Sequence, residues 1–107
     1  MITITGGITL ALNRKLTPII AGRTVKSAVQ ADVVLTIGFA DGSALRIKTA
    51  GTEAAAIPAG AAVKAVRQKA DLLNLDFADG SSAEIKLAEA TSSVMLRNGA
   101  GALEYAD

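Results

Sequence analysis

Apolar residues occupy every second position on both sides of a short polar break in this chain. Before the break they are Val33, Leu35, Ile37 and Phe39, and after it they are Leu45 and Ile47. A period of two residues is typical of strands that bury one face. The break contains Asp41-Gly42, and Asp-Gly between two such runs predicts a β-hairpin.

The register of the apolar positions predicts the length of the hairpin loop. A two-residue loop, Asp41-Gly42, would pair Ile37 with Arg46 and place a charge on the core face. A three-residue loop, Ala40-Asp41-Gly42, instead pairs Phe39 with Ser43, Ile37 with Leu45 and Leu35 with Ile47. Because a slip of one residue turns a whole strand over, we predict the three-residue loop. Its glycine then has a positive φ and forms a bulge.

The five residues FADGS occur at 39–43 and again at 77–81. Residues 22–49 align without gaps to residues 60–87, with 12 identities in 28 positions. This internal repeat predicts two equivalent units at an offset of 38 residues. In the second unit, Leu73 is expected opposite Ile85 and Leu75 opposite Ala83. The residues expected to face water there are Asn74, Asp76, Ser82, Glu84 and Lys86.

The segment before each hairpin has two interpretations. Residues 61–73 are rich in helix formers, and Val63, Val66, Ala70 and Leu73 have helical spacing. The repeat partner, residues 24–35, is poor in helix formers. Since repeated sequences keep one structure, we predict a strand in both and a three-stranded meander in each repeat. In the first repeat Val25, Ser27 and Val29 are then opposite Ile37, Leu35 and Val33, around a turn at residues 30–32.

Both ends of the chain predict further hairpins. The first places Ile2 and Ile4 opposite Leu10 and Ile8, around Thr5-Gly6-Gly7. The last places Leu96 opposite Leu103 and Val94 opposite Tyr105, around a loop at residues 98–101. With connectors at 13–22 and 50–60, the chain has about ten short strands. We therefore predict one all-β domain over residues 1–107: an antiparallel β-sandwich or partly closed barrel, with tandem repeats at 22–49 and 60–87.

Composition narrows the available chemistry. The 107 residues are half hydrophobic and include no His and no Cys. The usual base at neutral pH, the thiol nucleophile and the commonest zinc ligands are therefore missing. We predict no catalytic, cofactor-binding or metal-binding residue, no cofactor, and a protein that is not an enzyme.

Two groups of acidic residues have a structural and a chemical interpretation. Asp41 and Asp79 lie in the repeated turn, where they serve turn formation or a ligand site; we predict the turn role. Asp76 and Glu84 share a face with Lys86. They predict either a solvated charged face or a glycosidase-like acid pair, and we favour the charged face.

Charge gives little indication of a macromolecular partner. The net charge is +1, although residues 1–50 carry about +4 and residues 51–107 about −3. This asymmetry reflects solvated charges or a dipole that helps copies of the chain meet. We predict no nucleic-acid binding, since Phe39 and Phe77 lie on the core stripe. The apolar run near Pro58 is too short for a membrane span, and no signal sequence is evident, so a cytoplasmic location is expected.

Two functions are compatible with these features. The first is an interaction or assembly module that forms homo-oligomers. Whether it also binds a different protein is left open by the sequence. It would contact partners through an edge strand, or through outward residues such as Val34 and Leu72 and the connector at residues 18–21. In architecture it resembles small duplicated β-proteins of bacteria and prophages.

The alternative is a small-ligand or glycan-binding domain with its site between the repeats. An apolar strand edge favours the first function, and a polar-lined pocket favours the second.

Overall fold

The computed structural model describes residues 11–51 and 56–107, and most of these residues form strands. The elements in chain order are β1 (Ala11–Leu12), α1 (Thr17–Ile20), β2 (Val25–Ala31), β3 (Val34–Phe39), β4 (Ala44–Lys48), β5 (Val63–Lys69), β6 (Leu72–Phe77), β7 (Ser82–Lys86), β8 (Val94–Arg97) and β9 (Leu103–Ala106). The predicted all-β class is confirmed. The hairpin predicted at the N-terminus lies almost entirely outside the described residues.

Two antiparallel sheets pack against each other as a sandwich and do not close into a barrel. The four-stranded sheet has the order β1-β5-β6-β7, and the five-stranded sheet has the order β2-β3-β4-β8-β9. Each repeat contributes a three-stranded meander to one sheet. Each sheet is then extended by a strand from outside the repeats: β1 in the smaller sheet, and the β8–β9 hairpin in the larger one.

Both FADGS hairpins have the predicted register. Leu35 pairs with Ile47 and Ile37 with Leu45 in the first repeat, and Leu73 pairs with Ile85 in the second. The two turn glycines, Gly42 and Gly80, have φ of 90° and 92°. This left-handed conformation is accessible to glycine without a steric penalty, so the same turn sequence serves both repeats.

The segments before the hairpins are strands, as predicted, but the predicted register of β2 is wrong. Ala31 pairs with Val34 and Ala28 with Ile37, so the turn contains two residues, Asp32 and Val33. The second repeat has the same two-residue turn, because Lys69 pairs with Leu72. Asp32 and Ala70 take positive φ in these turns, at 57° and 52°.

The corrected register changes which side of β2 faces the core. Val25 and Ala28 lie on the core side, while Val29 is on the outer face and 58% exposed. Val33 is in the turn and is 39% exposed. Neither valine belongs to the core stripe on which the sequence placed them.

A pseudo-two-fold axis relates the two repeats, and the hydrogen bonds between them show it directly. Gly22 N–H donates to Val63 C=O at 2.8 Å, and Gly60 N–H donates to Val25 C=O at 2.8 Å. Adding 38 to Gly22 gives Gly60, and subtracting 38 from Val63 gives Val25, so the symmetry exchanges the two bonds. The Thr24–Ala62 and Thr49–Leu87 bridges each join a residue to its own repeat equivalent. The repeats therefore contact each other through equivalent positions.

The core lies between the sheets and is drawn from both repeats. Phe39 and Phe77 are each 2% exposed, as the apolar stripe predicted. The other buried apolar residues on the strands include Val25, Leu35, Ile37, Leu45, Ile47, Val63, Val66, Leu73, Leu75, Ala83, Ile85, Val94 and Leu96. Aliphatic side chains thus supply most of the burial that stabilises the sandwich.

Helix α1 closes one end of this core. Asn13 Oδ1 accepts hydrogen bonds from the N–H groups of Lys15 and Leu16, just before the helix, and Pro18 occupies its first turn. Leu16 and Ile20, four residues apart, are fully buried. The apolar connector at residues 18–21 is therefore covered in part by the core of its own chain.

The C-terminal hairpin forms, but its predicted register is wrong. Tyr105 pairs with Leu96 rather than Val94, because Asn98 N–H bonds to Ala102 C=O and a bulge separates Leu96 from Arg97. The turn has the same form as the FADGS turns, with a glycine at φ 85°. It lies against the first FADGS turn: a Cβ on Gly99 would be 3.1 Å from the backbone oxygen of Asp41.

Candidate functional site: the edge of β2 and a cavity on the same sheet

The outer edge of β5 is closed by the segment that begins with β1. Leu12 pairs with Arg67, and Asn13 N–H donates to Val66 C=O at 2.7 Å. The hydroxyl of Thr17 accepts from Val66 N–H at 3.0 Å and donates to Val66 C=O at 3.1 Å. The backbone groups at the middle of β5 are therefore satisfied, and the Val66 side chain is fully buried.

The outer edge of β2 is open within the described residues. No strand there pairs with it on the side away from β3. Ala28, the repeat equivalent of Val66, is exposed, and four successive residues of β2 are exposed in all. By the equivalence with β5, the backbone N–H and C=O of Ala28 point to this edge. Such unpaired groups are a template for another strand.

A glutamine shared by the two repeats distinguishes the closed edge from the open one. The side-chain oxygen of Gln68, on β5, accepts a hydrogen bond from the Asn13 amide at 3.3 Å. The side-chain oxygen of Gln30, on β2, is buried and has no hydrogen-bond partner among the described residues. Its amide nitrogen donates to Asp32 C=O at 2.8 Å, which fixes the orientation of the side chain. Buried polar atoms without a partner are rare, so β2 lacks a donor that β5 has.

A second feature of the five-stranded sheet is a cavity of about 500 Å³ on its outer face. Strands β3, β4, β8 and β9 contribute outward side chains, and the loop before β8 forms a wall. The lining residues are Val34, Arg46, Lys48, Ser92, Ser93, Val94, Met95, Ala106 and Asp107. The cavity is not between the repeats, where the sequence placed a ligand site.

The side chains that line the cavity carry more positive than negative charge. Arg46 and Lys48 project from the same face of β4 and form no ion pair among the described residues. Asp107 is the one acid among the lining residues, and its carboxylate accepts a long hydrogen bond, 3.5 Å, from the Tyr105 hydroxyl. Ser92, at the wall, has a φ of 63°.

The repeated turn acids have the structural role that the sequence predicted. Asp41 Oδ1 accepts hydrogen bonds from the hydroxyl and the N–H of Ser43, and Asp79 Oδ1 accepts the same pair from Ser81. The side-chain bond from each serine is the main cause that holds the pKa of Asp41 and Asp79 below the ordinary 3.8. Arg23, at 3.8 Å, adds to this effect at Asp41 alone.

Two acids of the second repeat, Asp71 and Asp76, are engaged in charge pairs. Arg67 donates to both oxygens of Asp76, at 2.8 and 2.9 Å, and Lys86 lies 3.5 Å from Asp71. Asn74 was expected to face water, but it does not. It is 6% exposed and donates to Asp76 at 2.8 Å, because it lies between Arg67 and Glu84 of the neighbouring strands.

Comparisons with family models, with curated proteins and with solved structures gave no match. Among residues 11–51 and 56–107, no helix has the length and apolarity needed to cross a membrane. The same part of the chain has no cluster of three acidic side chains arranged to hold a metal ion.

Sequence reasoning missed the residues of the cavity, although part of the signal was available. The sequence alignment of the two repeats matches Arg46 to Glu84 and Val33 to Asp71. These two differences remove acids from the first repeat and so leave its outer face positive. Ser92 and Asp107 lie outside the repeats, and nothing in the alignment indicates that they join the same site.

Proposed function

We propose that this protein is a non-enzymatic interaction module that assembles with a second copy of itself through the outer edge of β2. The open edge of β2 carries the proposal, because the equivalent edge of β5 is closed by β1, Asn13 and Thr17. A strand added to β2 would supply the ladder that β1 and Asn13 supply to β5. Strand addition of this kind obtains its affinity from main-chain hydrogen bonds.

An antiparallel pairing of two β2 strands suits this edge. Around a two-fold axis, the start of one strand lies beside the end of the other, so Lys26 of each copy approaches Asp32 of its partner. Both residues are exposed, and neither forms an ion pair among the described residues. The pairing also covers part of Val29, which is 58% exposed.

A two-fold contact closes after two copies, because each copy uses the same surface. It would join two five-stranded sheets into one sheet of ten strands and cover both open β2 edges at once. Together with the side chains beside the strands, we expect a total buried area above roughly 1,000 Å², as specific interfaces require.

The test is light scattering coupled to size-exclusion chromatography, on the wild type and on Val29→Arg. Arginine is the residue that the second repeat carries at this position, Arg67, so the substitution suits the fold of the strand. We expect a dimer for the wild type, which V29R converts to monomer at the same micromolar concentration. Charge on an edge strand opposes pairing with another strand.

Leu103→Arg is the matched control, because Leu103 lies on β9, at the opposite edge of the same sheet, and is 51% exposed. A β2–β2 dimer survives L103R. Loss of assembly with L103R would instead indicate a β2–β9 contact and overturn the two-fold arrangement. A wild-type protein that stays monomeric at millimolar concentration would overturn self-assembly altogether.

Hydrogen exchange provides a second measurement on the wild type. The amide of Ala28 should exchange slowly at a concentration that favours the dimer and quickly in V29R. Equal exchange in both samples would show that β2 does not form the contact.

A further inference from the structure

We infer that the cavity on the outer face of the five-stranded sheet binds a small amphipathic anion, a carboxylate or phosphate group carried on a short apolar body. This inference rests on the cavity residues and is independent of the β2 edge. The volume of the cavity, about 500 Å³, lies within the range of small-molecule sites, roughly 300–1,000 Å³.

Two cations provide the anion-binding part of the site. Arg46 and Lys48 are two residues apart on β4, so their Cα atoms are about 7 Å apart and their side chains share the outer face. A guanidinium group can hold a carboxylate or phosphate by two parallel hydrogen bonds, and an ammonium group adds a second charge. With Asp107 as the one acidic side chain in the lining, the side chains of the cavity have a formal charge of +1.

Apolar side chains, among them Met95, Ala106 and Val34, provide much of the remaining lining. Met95 pairs with Arg46 on one side and with Ala106 on the other, so these three residues form a row across β4, β8 and β9. Val34 is the cross-strand partner of Lys48. The cations thus lie beside an apolar surface, which suits a ligand that is charged at one end and apolar at the other.

In the second repeat, the equivalent surface carries acidic side chains beside its lysine. Lys86 is the repeat equivalent of Lys48 and lies 3.5 Å from the carboxylate of Asp71. In the first repeat, Val33 takes the place of that acid. Glu84 likewise occupies the position equivalent to Arg46. The positive charge therefore belongs to the first repeat alone, at the cavity.

The wall of the cavity has a backbone conformation that suits a binding site. Ser92 has a φ of 63°, which non-glycine residues rarely adopt, and such residues cluster at ligand sites. The neighbouring Ser93 is 4% exposed and is held by hydrogen bonds with the backbone of Glu89. The wall is thus fixed at Ser93, next to a Ser92 hydroxyl that can donate to an anion.

The test uses four eight-carbon probes below their micelle concentrations: octanoate, octyl phosphate, octanol and octylammonium. Binding is followed by amide chemical shifts of the wild-type protein at one fixed protein concentration, so that self-association through β2 contributes equally to every titration. We expect saturable binding of at least one anion, centred on residues 46, 48 and 92–95. Octanol should bind at least about 10-fold more weakly than the anion, because it lacks charge-assisted hydrogen bonds. Octylammonium should not bind.

The variant R46Q/K48Q should lose at least about 10-fold in affinity for the bound anion, since both charges are removed. E84Q/K86Q changes the equivalent positions of the second repeat and should leave the affinity unchanged. Binding of octanoate alone, or of octyl phosphate alone, supports the site and identifies the head group. Equal binding of all four probes, no binding of either anion, or full affinity in R46Q/K48Q would overturn the inference.

Discussion

Strands β2 and β5 occupy equivalent places in the two repeats but have different surroundings. The edge of β5 is covered by β1, Asn13 and Thr17, and its central side chain is a buried valine. No strand among the described residues pairs with the outer edge of β2, and its central side chain is an exposed alanine. The central side chain is therefore larger on the strand whose edge is covered than on the strand whose edge is open.

Most of the positions at which the repeats agree lie in the core or in the FADGS turn. Val25 and Val63, Leu35 and Leu73, and Phe39 and Phe77 are identical pairs, and all six residues are 0–2% exposed. The turn residues from Ala40 to Ser43 are identical as well. The duplicated unit has kept most of the residues that fold it, whereas its outer face and edge have diverged at several positions, such as Arg46 and Glu84. Functional differences between the repeats are therefore expected on those surfaces.

The largest expected effect tests the difference at the centre of these strands. Val66→Ala should lower the free energy of unfolding by about 2 kcal/mol, because it removes two buried methyl groups and leaves a cavity. Ala28→Val, the reverse change at the equivalent position, should alter it by less than about 0.5 kcal/mol, since the site is exposed. Urea denaturation of both variants, in the V29R background, measures the two values without a contribution from dimer formation.

A cost of A28V close to that of V66A would contradict this comparison, because it would mean that β2 is packed as tightly as β5. A cost of V66A below about 0.5 kcal/mol would show that the contacts from α1 and β1 contribute little to stability.

The two turn glycines allow a second comparison. Gly80→Val should cost about 1–2 kcal/mol, because a β-branched residue is strained at a φ of 92°. Gly42→Val should cost more, since a Cβ there would already be 3.4 Å from the Cα of Gly99 in the adjacent turn. Gly51→Ala is the control, as this glycine has no positive φ and open space around its Cβ position. Thermal unfolding ranks the three variants, and equal costs at Gly42 and Gly80 would show that the stacked turns do not constrain each other.

The fold was predictable because turn chemistry and apolar alternation agreed. In the FADGS hairpins only one register kept charges such as Arg46 off the core face, and glycine marked the turn. The register of β2 was not predictable in this way. Its turn has no glycine, and Val29 is an exposed apolar residue that sequence patterns assign to the core. Apolar side chains are common at protein surfaces, so a single valine does not fix a strand's orientation.

The open edge and the cavity were less accessible to sequence reasoning. An edge strand was expected, but only the strand pairing and hydrogen bonds of the folded chain show that β2 lacks the neighbour that β5 has. The cavity combines β3, β4, β8 and β9 with a loop, and these segments meet only in the folded sheet. Charge differences between the repeats indicate Arg46 and Lys48, whereas the wall at Ser92 depends on a backbone angle with no sequence signature.

The smallest expected effect concerns the charges of Asp41 and Asp79. The pKa of each is lower in the folded protein than the ordinary 3.8, so each ionised carboxylate stabilises the fold above that pH, and the contribution is lost as the pH falls through the lowered value. Asparagine keeps an oxygen that can accept both serine hydrogen bonds, so Asp41→Asn and Asp79→Asn remove chiefly the charge. Each variant should have a lower melting temperature than wild type at pH 6, and the difference should narrow as the pH falls below the ordinary 3.8.

D41N should have the larger effect at pH 6, because Arg23 lies 3.8 Å from Asp41 and the second repeat has Ala61 at the equivalent position. The excess of D41N over D79N should shrink in 1 M salt, which screens exposed ion pairs. R23A is the matched control: in this background D41N and D79N should become equal. Melting curves between pH 2 and 7, at low and high salt, measure these differences. A D79N effect as large as that of D41N in the wild-type background would show that Arg23 stabilises the first turn no more than alanine does in the second.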